Sequence, residues 1–462
     1  MSAAFSINRR EFVSLALGSV AASATAQVGA VAKDVPILKV GILSDSQGYG
    51  YKEDWGFHNL DRALELLAKK GVDVLVNAGD IVDGPGEIEG LAYVQELERR
   101  RFGDRKPVDI ACLGNHELGF SFAKDRAKAQ ANVNRFCDIY GYPHGQLVHK
   151  VVKGFDFITF SCFEDVGYDA AAIAQIRDAL DRAVRRDAKK PIFVVTHFHP
   201  QHTCICSDGK RGAALTELFS RYSQVVSLSG HCHCPLQDER CIWQGAFTAI
   251  ETSTLSYGCM EGGYANTCAD CILPWGREAV GFLILEIYAD RLEFRRYQAE
   301  DQEEMKPAKP WVVEYPYDPA RAVYTEAKRK AAEVAPVFAK DTPFLFRYDY
   351  GYVYFVFDQA THPDFVHHYR LELTELDAAG RPCGAPQSWR YLGNFYRYAR
   401  NRDSRLCLKV APNAMKEDTR YLAKMFPVAN FGTEGEPLVM NIKVRAHYGF
   451  RNDATAVAYP QE

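Results

Sequence analysis

No sign of charge dominates this chain. Its 462 residues carry 55 Lys and Arg against 59 Asp and Glu, a net charge of −4 without long like-charge runs. That excludes the basic footprint of a binder of nucleic-acid duplexes or anionic membranes and leaves small polar or anionic substrates open. Long apolar runs are also missing: none reaches, uncharged, the roughly 20 residues a membrane span needs. With 47% hydrophobic, 25% charged and 12% aromatic residues, the composition excludes disorder, collagen and coiled coil, and the length suits two or three domains. Thirteen cysteines fall far below the density of a small disulfide scaffold, and an odd number leaves at least one thiol unpaired within the chain.

What is present begins with an export signature. Arg9 and Arg10 precede an apolar run from Phe12 to about Ala24, and Ala24-Thr25-Ala26 offers the small residues a signal peptidase needs. This predicts a signal peptide over residues 1–26, cleaved after Ala26. The arginine pair followed by Glu11-Phe12-Val13 resembles a twin-arginine signal, which implies translocation of a folded protein; an ordinary secretory signal is the alternative. Either places the mature chain in the periplasm or outside the cell.

From residue 27 to 299 strand-like and helix-like segments alternate. Apolar runs at Ile37–Ser44, Val72–Asn77, Val108–Leu113, Phe155–Cys162, Pro191–Thr196 and Gln224–Ser229 are separated by helical periodicity at 60–68, 121–140, 173–184 and 213–222. Near-continuous apolar strands between amphipathic helices predict an α/β domain with sheet buried on both faces. Gly281–Gln298 predicts a closing hairpin. Residues 300–342, rich in proline and charge, predict a linker with one helix at 320–334. From 343 to 462, short runs such as YVYFVF and HHYRLELTEL predict a C-terminal all-β sandwich. Thr419-Arg420-Tyr421, Phe426-Pro427-Val428 and Phe431-Gly432 resemble the later strands of fibronectin type III domains, and such an accessory domain would bind glycan or protein.

Five polar clusters follow the apolar runs of the first domain: Asp45-Ser46-Gln47, Gly79-Asp80-Ile81-Val82-Asp83, Gly114-Asn115-His116-Glu117, Thr196-His197-Phe198-His199-Pro200 and Gly230-His231-Cys232-His233. Any one of them is ordinary turn or cap chemistry. Together, at the strand ends where open α/β sheets bind ligands, they offer the imidazole and carboxylate donors that two divalent metals require.

The set resembles the calcineurin-like metallophosphoesterases, whose signature is D-x-H, G-D-x-x-D, G-N-H-E/D, H and G-H-x-H. The resemblance covers about residues 37–250. It implies an α/β sandwich of two sheets flanked by helices and a dinuclear hydrolase of phosphate ester or pyrophosphate bonds in a small phosphorylated substrate. Asp80 would bridge the metals, Asp45 and His233 would bind the first, and Asn115, His197 and His231 the second. His116, oriented by Asp83, would stabilise phosphoryl charge or protonate the leaving oxygen. The competing function is a non-catalytic exported binding protein on the same scaffold.

The first block departs from the family, with Gln47 where histidine is usual. Its amide oxygen is a harder, weaker donor than imidazole: either the first metal is left to Asp45, Asp80, His233 and water, or oxygen-rich coordination shifts preference towards Mn²⁺ or Mg²⁺, so the expected pair of divalent ions is Mn²⁺ ahead of Fe, Zn²⁺ or Mg²⁺. An aspartate-x-glutamine block is similar to that of manganese-dependent ADP-ribose and CDP-alcohol diphosphatases, so a pyrophosphate substrate gains weight. His197, directly after its strand, is preferred over His199 as ligand. His199 and His202 are expected either to touch substrate phosphate or to lie in solvent, and His58 and His144 to be structural. Eight cysteines lie between Cys204 and Cys271; disulfides pinning the loops are expected, with a zinc site at Cys268 and Cys271 as the alternative. Cys232 should point away from the metals. Loops 201–211 and 256–276, with Tyr257, Tyr264 and Trp275, could form a lid, and His367-His368 is expected at a strand edge.

Overall fold

The computed structural model describes residues 35–49, 54–119, 125–163, 167–267, 271–349, 352–410, 414–416, 418–443 and 457–459. The expected export signal lies outside the described residues, as does Cys268 of the expected zinc pair.

Two six-stranded sheets form the first domain. One has the order β12-β11-β10-β1-β2-β3, with β1 Leu38–Leu43, β2 Val74–Asn77, β3 Val108–Ala111, β10 Gly281–Ile287, β11 Arg291–Gln298 and β12 Trp311–Glu314. The other has the order β4-β5-β6-β7-β9-β8, with β4 Leu147–Val152, β5 Phe155–Phe160, β6 Ile192–Thr196, β7 Val225–Ser229, β8 Ile242–Gln244 and β9 Thr248–Glu251. Period-2 alternation explains why the strands read as unbroken apolar runs, because both faces are covered. Val40, Val74, Val76, Phe157, Phe193 and Val195 fill the layer between the sheets. Their neighbours Leu43 and Leu75 pack outward under helices α1 (Trp55–Lys70), α2 (Gly90–Phe102) and α4 (Arg126–Tyr140). Ile158, Ile192 and Val194 pack outward under α5 (Ala170–Arg186) and α6 (Ala213–Phe219). The short helix α3, Asn115–Leu118, follows β3 and precedes α4.

The hairpin is present as β10 and β11, paired Gly281 to Gln298. The first domain does not stop at 299: β12 adds to β11 with Phe294 opposite Trp311, and Trp311 is buried between the sheets. The expected linker helix is shorter, α7 Glu326–Ala332.

The C-terminal region is a second all-β unit. A three-stranded sheet of β13 Phe344–Asp349, β14 Tyr352–Asp358 and β17 Arg405–Val410 faces a five-stranded sheet in the order β16-β15-β18-β19-β20, formed by β15 His368–Leu376, β16 Gln387–Leu392, β18 Arg420–Val428, β19 Leu438–Lys443 and β20 Val457–Tyr459. Phe355 and Phe357 of one sheet share a core with Tyr369, Leu371 and Met425 of the other. The unit is bolted to the first domain. Leu392, Phe395 and Tyr396 enter the core between the α/β sheets, and Arg397 pairs with Glu278 at 3.1 Å. His367 is a buried joint residue rather than a strand-edge one: its Nε2 lies 2.9 Å from Arg240 and 3.3 Å from Asp238.

Candidate metal centre

Parallel pairing of β1, β2 and β3, and separately of β5, β6, β7 and β9, brings their C-terminal ends to one edge. Asp45, Asp80 and Asn115 follow three neighbouring strands of one sheet; His197, His231 and His233 follow two of the other. Donor atoms of Asp80, His197 and His231 all lie within 4.8 Å of one another. His197 Nε2 is 3.1 Å from Asp80 Oδ2 and 2.9 Å from Asn115 Oδ1. His233 Nε2 lies 3.1 Å from Asp45 Oδ1.

The ring orientations suit cation binding. His197 Nδ1–H donates to the Ala78 carbonyl at 2.9 Å and His233 Nδ1–H to the Tyr257 carbonyl at 2.9 Å. In each ring Nε2 faces the carboxylates; burial lowers both pKa values, but Asp80 beside His197 and Asp45 beside His233 outweigh it and push the imidazoles up, His197 to about 10, so a cation would displace the Nε2 proton. Burial and then the neighbouring His197 push the His231 imidazole down to about 3, so it stands neutral and ready to donate. Burial opposes the Asp80 charge, yet His197 and His116 hold its carboxyl well below the usual carboxylate range. Buried carboxylates and imidazoles crowded this closely, with no Lys or Arg among their partners, fit two divalent cations.

Backbone conformation aims these side chains. Asp45, Gln47, Asp80, His231 and His233 have φ between 45° and 73°, the left-handed region that lets a chain leave a strand and turn within one residue. Two glycines make room. A Cβ on Gly114 would stand 2.2 Å from Asp80 Oδ1, and one on Gly230 2.3 Å from Asp45 Oδ2.

Gln47 sits inside the set. Its Nε2 is 3.0 Å from His116 Nε2 and 3.3 Å from His233 Nε2, while its Oε1 accepts from Ser256 Oγ at 3.0 Å. A hydroxyl serves either end of an amide, so rotation of the amide presents its oxygen to the imidazoles without losing Ser256. His116 Nδ1 pairs with Asp83 Oδ1 at 3.0 Å, and its Nε2 lies 3.7 Å from Asp80. Burial lowers its pKa, but the Asp83 hydrogen bond and the Asp80 charge outweigh it and push the imidazole up to about 9.

Two residues here had no role from sequence. Glu117 is fully buried and accepts backbone N–H groups from Gly114 at 2.7 Å, Val82 at 2.9 Å and Asp80 at 3.2 Å, tying two ligand loops together. It closes the Gly114–Glu117 block, a visible signal whose use needed the fold. Glu251 ends β9 beside His199, and Tyr257, expected only as a lid aromatic, packs tilted against His233 with ring centroids 4.6 Å apart.

Several expectations are corrected. His199 is neither substrate-facing nor in solvent: it is buried against Glu251. His202 is exposed and pairs with Asp208 at 3.0 Å. Only Tyr257 of the lid aromatics reaches the metal residues; Tyr264 packs on His367 and His368, and the exposed Trp275 lies under Arg397. None of the twelve described cysteines is in a disulfide. Cys204, Cys232 and Cys234 instead donate to the carbonyls of Cys241, Cys206 and Cys232. Cys232 groups with His199 and Glu251, and its Sγ–H donates to the Cys206 carbonyl. His58 and His144 form surface pairs with Glu300 and Asp138.

Residues 38–235 match the model of the calcineurin-like phosphoesterase family, and the two-sheet sandwich is the fold of that domain. No curated protein matches the chain in sequence. Among solved structures, a dimetal phosphatase from Danio rerio is 12% identical over 61% of this chain and 99% of its own, with a TM-score of 0.38. A purple acid phosphatase from yellow lupin (Lupinus luteus) seeds is 11% identical over 60% of this chain and 53% of its own, with a TM-score of 0.44.

Proposed function

We propose that this chain is an exported, dinuclear metal-dependent hydrolase of phosphate ester or pyrophosphate bonds. The convergence of Asp45, Asp80, Asn115, His197, His231 and His233 on one edge carries the reading. Asp45, Gln47 and His233 would hold one cation and Asn115, His197 and His231 the other, sharing Asp80. When bound, such a pair lowers the pKa of water and neutralises phosphate charge.

The protein's own groups do the rest. His116 is held by Asp83 through Nδ1, which leaves Nε2–H to donate a hydrogen bond to a phosphoryl oxygen or a proton to the leaving oxygen. Glu117 fixes the loops carrying Asp80 and His116 relative to each other. Tyr257 gives the entrance one aromatic face. Gln47, an oxygen donor where imidazole is usual, favours Mn²⁺ and leaves the first metal the weaker one. The C-terminal sandwich offers no comparable donor cluster among its described residues and acts as an accessory unit.

Hydrolysis of bis-p-nitrophenyl phosphate, p-nitrophenyl phosphate and a nucleoside diphosphate ester should require added Mn²⁺ and vanish in Asp80→Ala and Asn115→Ala. Metal-independent turnover, or none on any ester from a folded, metal-loaded protein, would refute the reading and favour a binding protein.

A further inference from the structure

Behind the metal edge lies a second donor cluster that the hydrolytic chemistry leaves unused. Donor atoms of His199, Cys232 and Glu251 all lie within 4.8 Å of one another. His199 and Glu251 are buried, at 5% and 0% exposure, and hydrogen-bond through His199 Nε2 and Glu251 Oε2. His199 Nδ1 is also buried and makes no hydrogen bond. The other Glu251 oxygen accepts from the Ser253 N–H at 3.2 Å. Among the described residues no Lys or Arg pairs with this carboxylate, and a buried carboxylate without a cation is costly. Burial, followed by the Asp45 charge, pushes its carboxyl well up.

We propose that His199, Cys232 and Glu251 bind a third, structural divalent metal of the zinc class. One imidazole, one thiolate and one carboxylate form a borderline-soft set that suits zinc and discriminates against Mg²⁺ and Mn²⁺. Three protein donors leave one position of a tetrahedral ion for water. Binding releases the Cys232 thiol proton and the proton shared by His199 and Glu251, so the site gains a dication and loses two protons. The ion would fasten three strand ends. His199 lies two residues beyond His197 after β6, Cys232 lies between His231 and His233 after β7, and Glu251 ends β9. One cation would thereby hold the loops presenting three of the catalytic-edge histidines, replacing the disulfides that these cysteines do not form. This inference stands apart from the phosphoesterase reading, because its donors and its readout differ.

The test uses full-length protein with the catalytic edge saturated by Mn²⁺ and one equivalent of Zn²⁺ added. Zinc K-edge absorption should show a single sulfur scatterer with nitrogen and oxygen. Co²⁺ in place of zinc should give a thiolate-to-cobalt charge-transfer band that Asp80→Ala retains and Cys232→Ser loses. A shell with no sulfur, or with two or more, would overturn the proposal, as would a band that survives in Cys232→Ser. Should Cys232→Ser fail to fold, the wild-type zinc spectrum decides alone.

Discussion

Glu117 is the sharpest place to perturb the centre without touching a donor. Its carboxylate accepts three backbone N–H groups, from Asp80, Val82 and Gly114. Burial and the Asp80 charge push the carboxyl up to about 7, against the pull of the Val82 and Gly114 N–H groups. In Glu117→Ala all three donors lose their acceptor in a dry interior. At about 1–3 kcal/mol for each unsatisfied buried group, and nearer the low end because the three share one space, the loss is about 3–5 kcal/mol. Glu117→Gln separates the contributions. An amide oxygen placed where Oε2 stands keeps Asp80 and Gly114, but the amide nitrogen then meets the Val82 N–H, so one donor is lost at about 1–2 kcal/mol. Equilibrium denaturation of metal-free protein should rank wild type above Gln above Ala, with the Ala midpoint roughly 6–20 °C lower in a thermal scan. Turnover at saturating Mn²⁺ should follow the same order, because the loops carrying Asp80 and His116 lose their common anchor. An alanine variant within 1 kcal/mol of wild type, or a glutamine variant as damaged as alanine, would refute this accounting.

Other outcomes follow from the same geometry. Gln47→His should tighten the first metal and reduce the dependence on added Mn²⁺; titration of stripped protein showing two equally tight sites in wild type, unchanged in the variant, would show that Gln47 does not tune the metal. Asp238 is buried, and despite that burial Arg240 and His367 hold its carboxyl far below the ordinary range. Its folded pKa therefore lies below its unfolded one, so its stabilisation is complete above about pH 4 and is lost on acidification. Asp238→Asn should cost about 3 kcal/mol at neutral pH and show less acid sensitivity than wild type in denaturation melts at pH 3 and 7. Truncation near Thr342 should give aggregated protein rather than an active core, because it uncovers the surface that Leu392, Phe395 and Tyr396 fill; a monodisperse, active fragment by size-exclusion chromatography would contradict the shared core.

Much of this was legible in the sequence because it is local. Strand runs such as Pro191–Thr196 and helices ending at Gly71 or Gly141 announce themselves by period and by the left-handed caps those glycines adopt. The candidate donors stood out because each closely follows an apolar run. What was missed depends on contacts distant in sequence. Trp311 reads as part of a linker until β11 pairs with it. His367 reads as an edge until Asp238 and Arg240, more than a hundred residues earlier, meet it. His199 has a partner 52 residues away, and Glu251 is one acid in a strand with no motif around it. Helix α2 carries Leu91, Val94 and Leu97 at helical spacing, a signal that was present and weaker than its charged surroundings.

The five left-handed positions also set the grammar of change at the metal edge. A backbone at φ near 50° admits Asn, Asp, His and Gly with little penalty but resists β-branched side chains, whatever their polarity. At Gln47, where the first cation would tolerate several oxygen donors, a saturation library should therefore accept Asn, Asp and His and reject Thr, which brings an oxygen on the wrong kind of carbon. Drift of the metal preference in this chain is channelled through the few side chains that the turn itself allows.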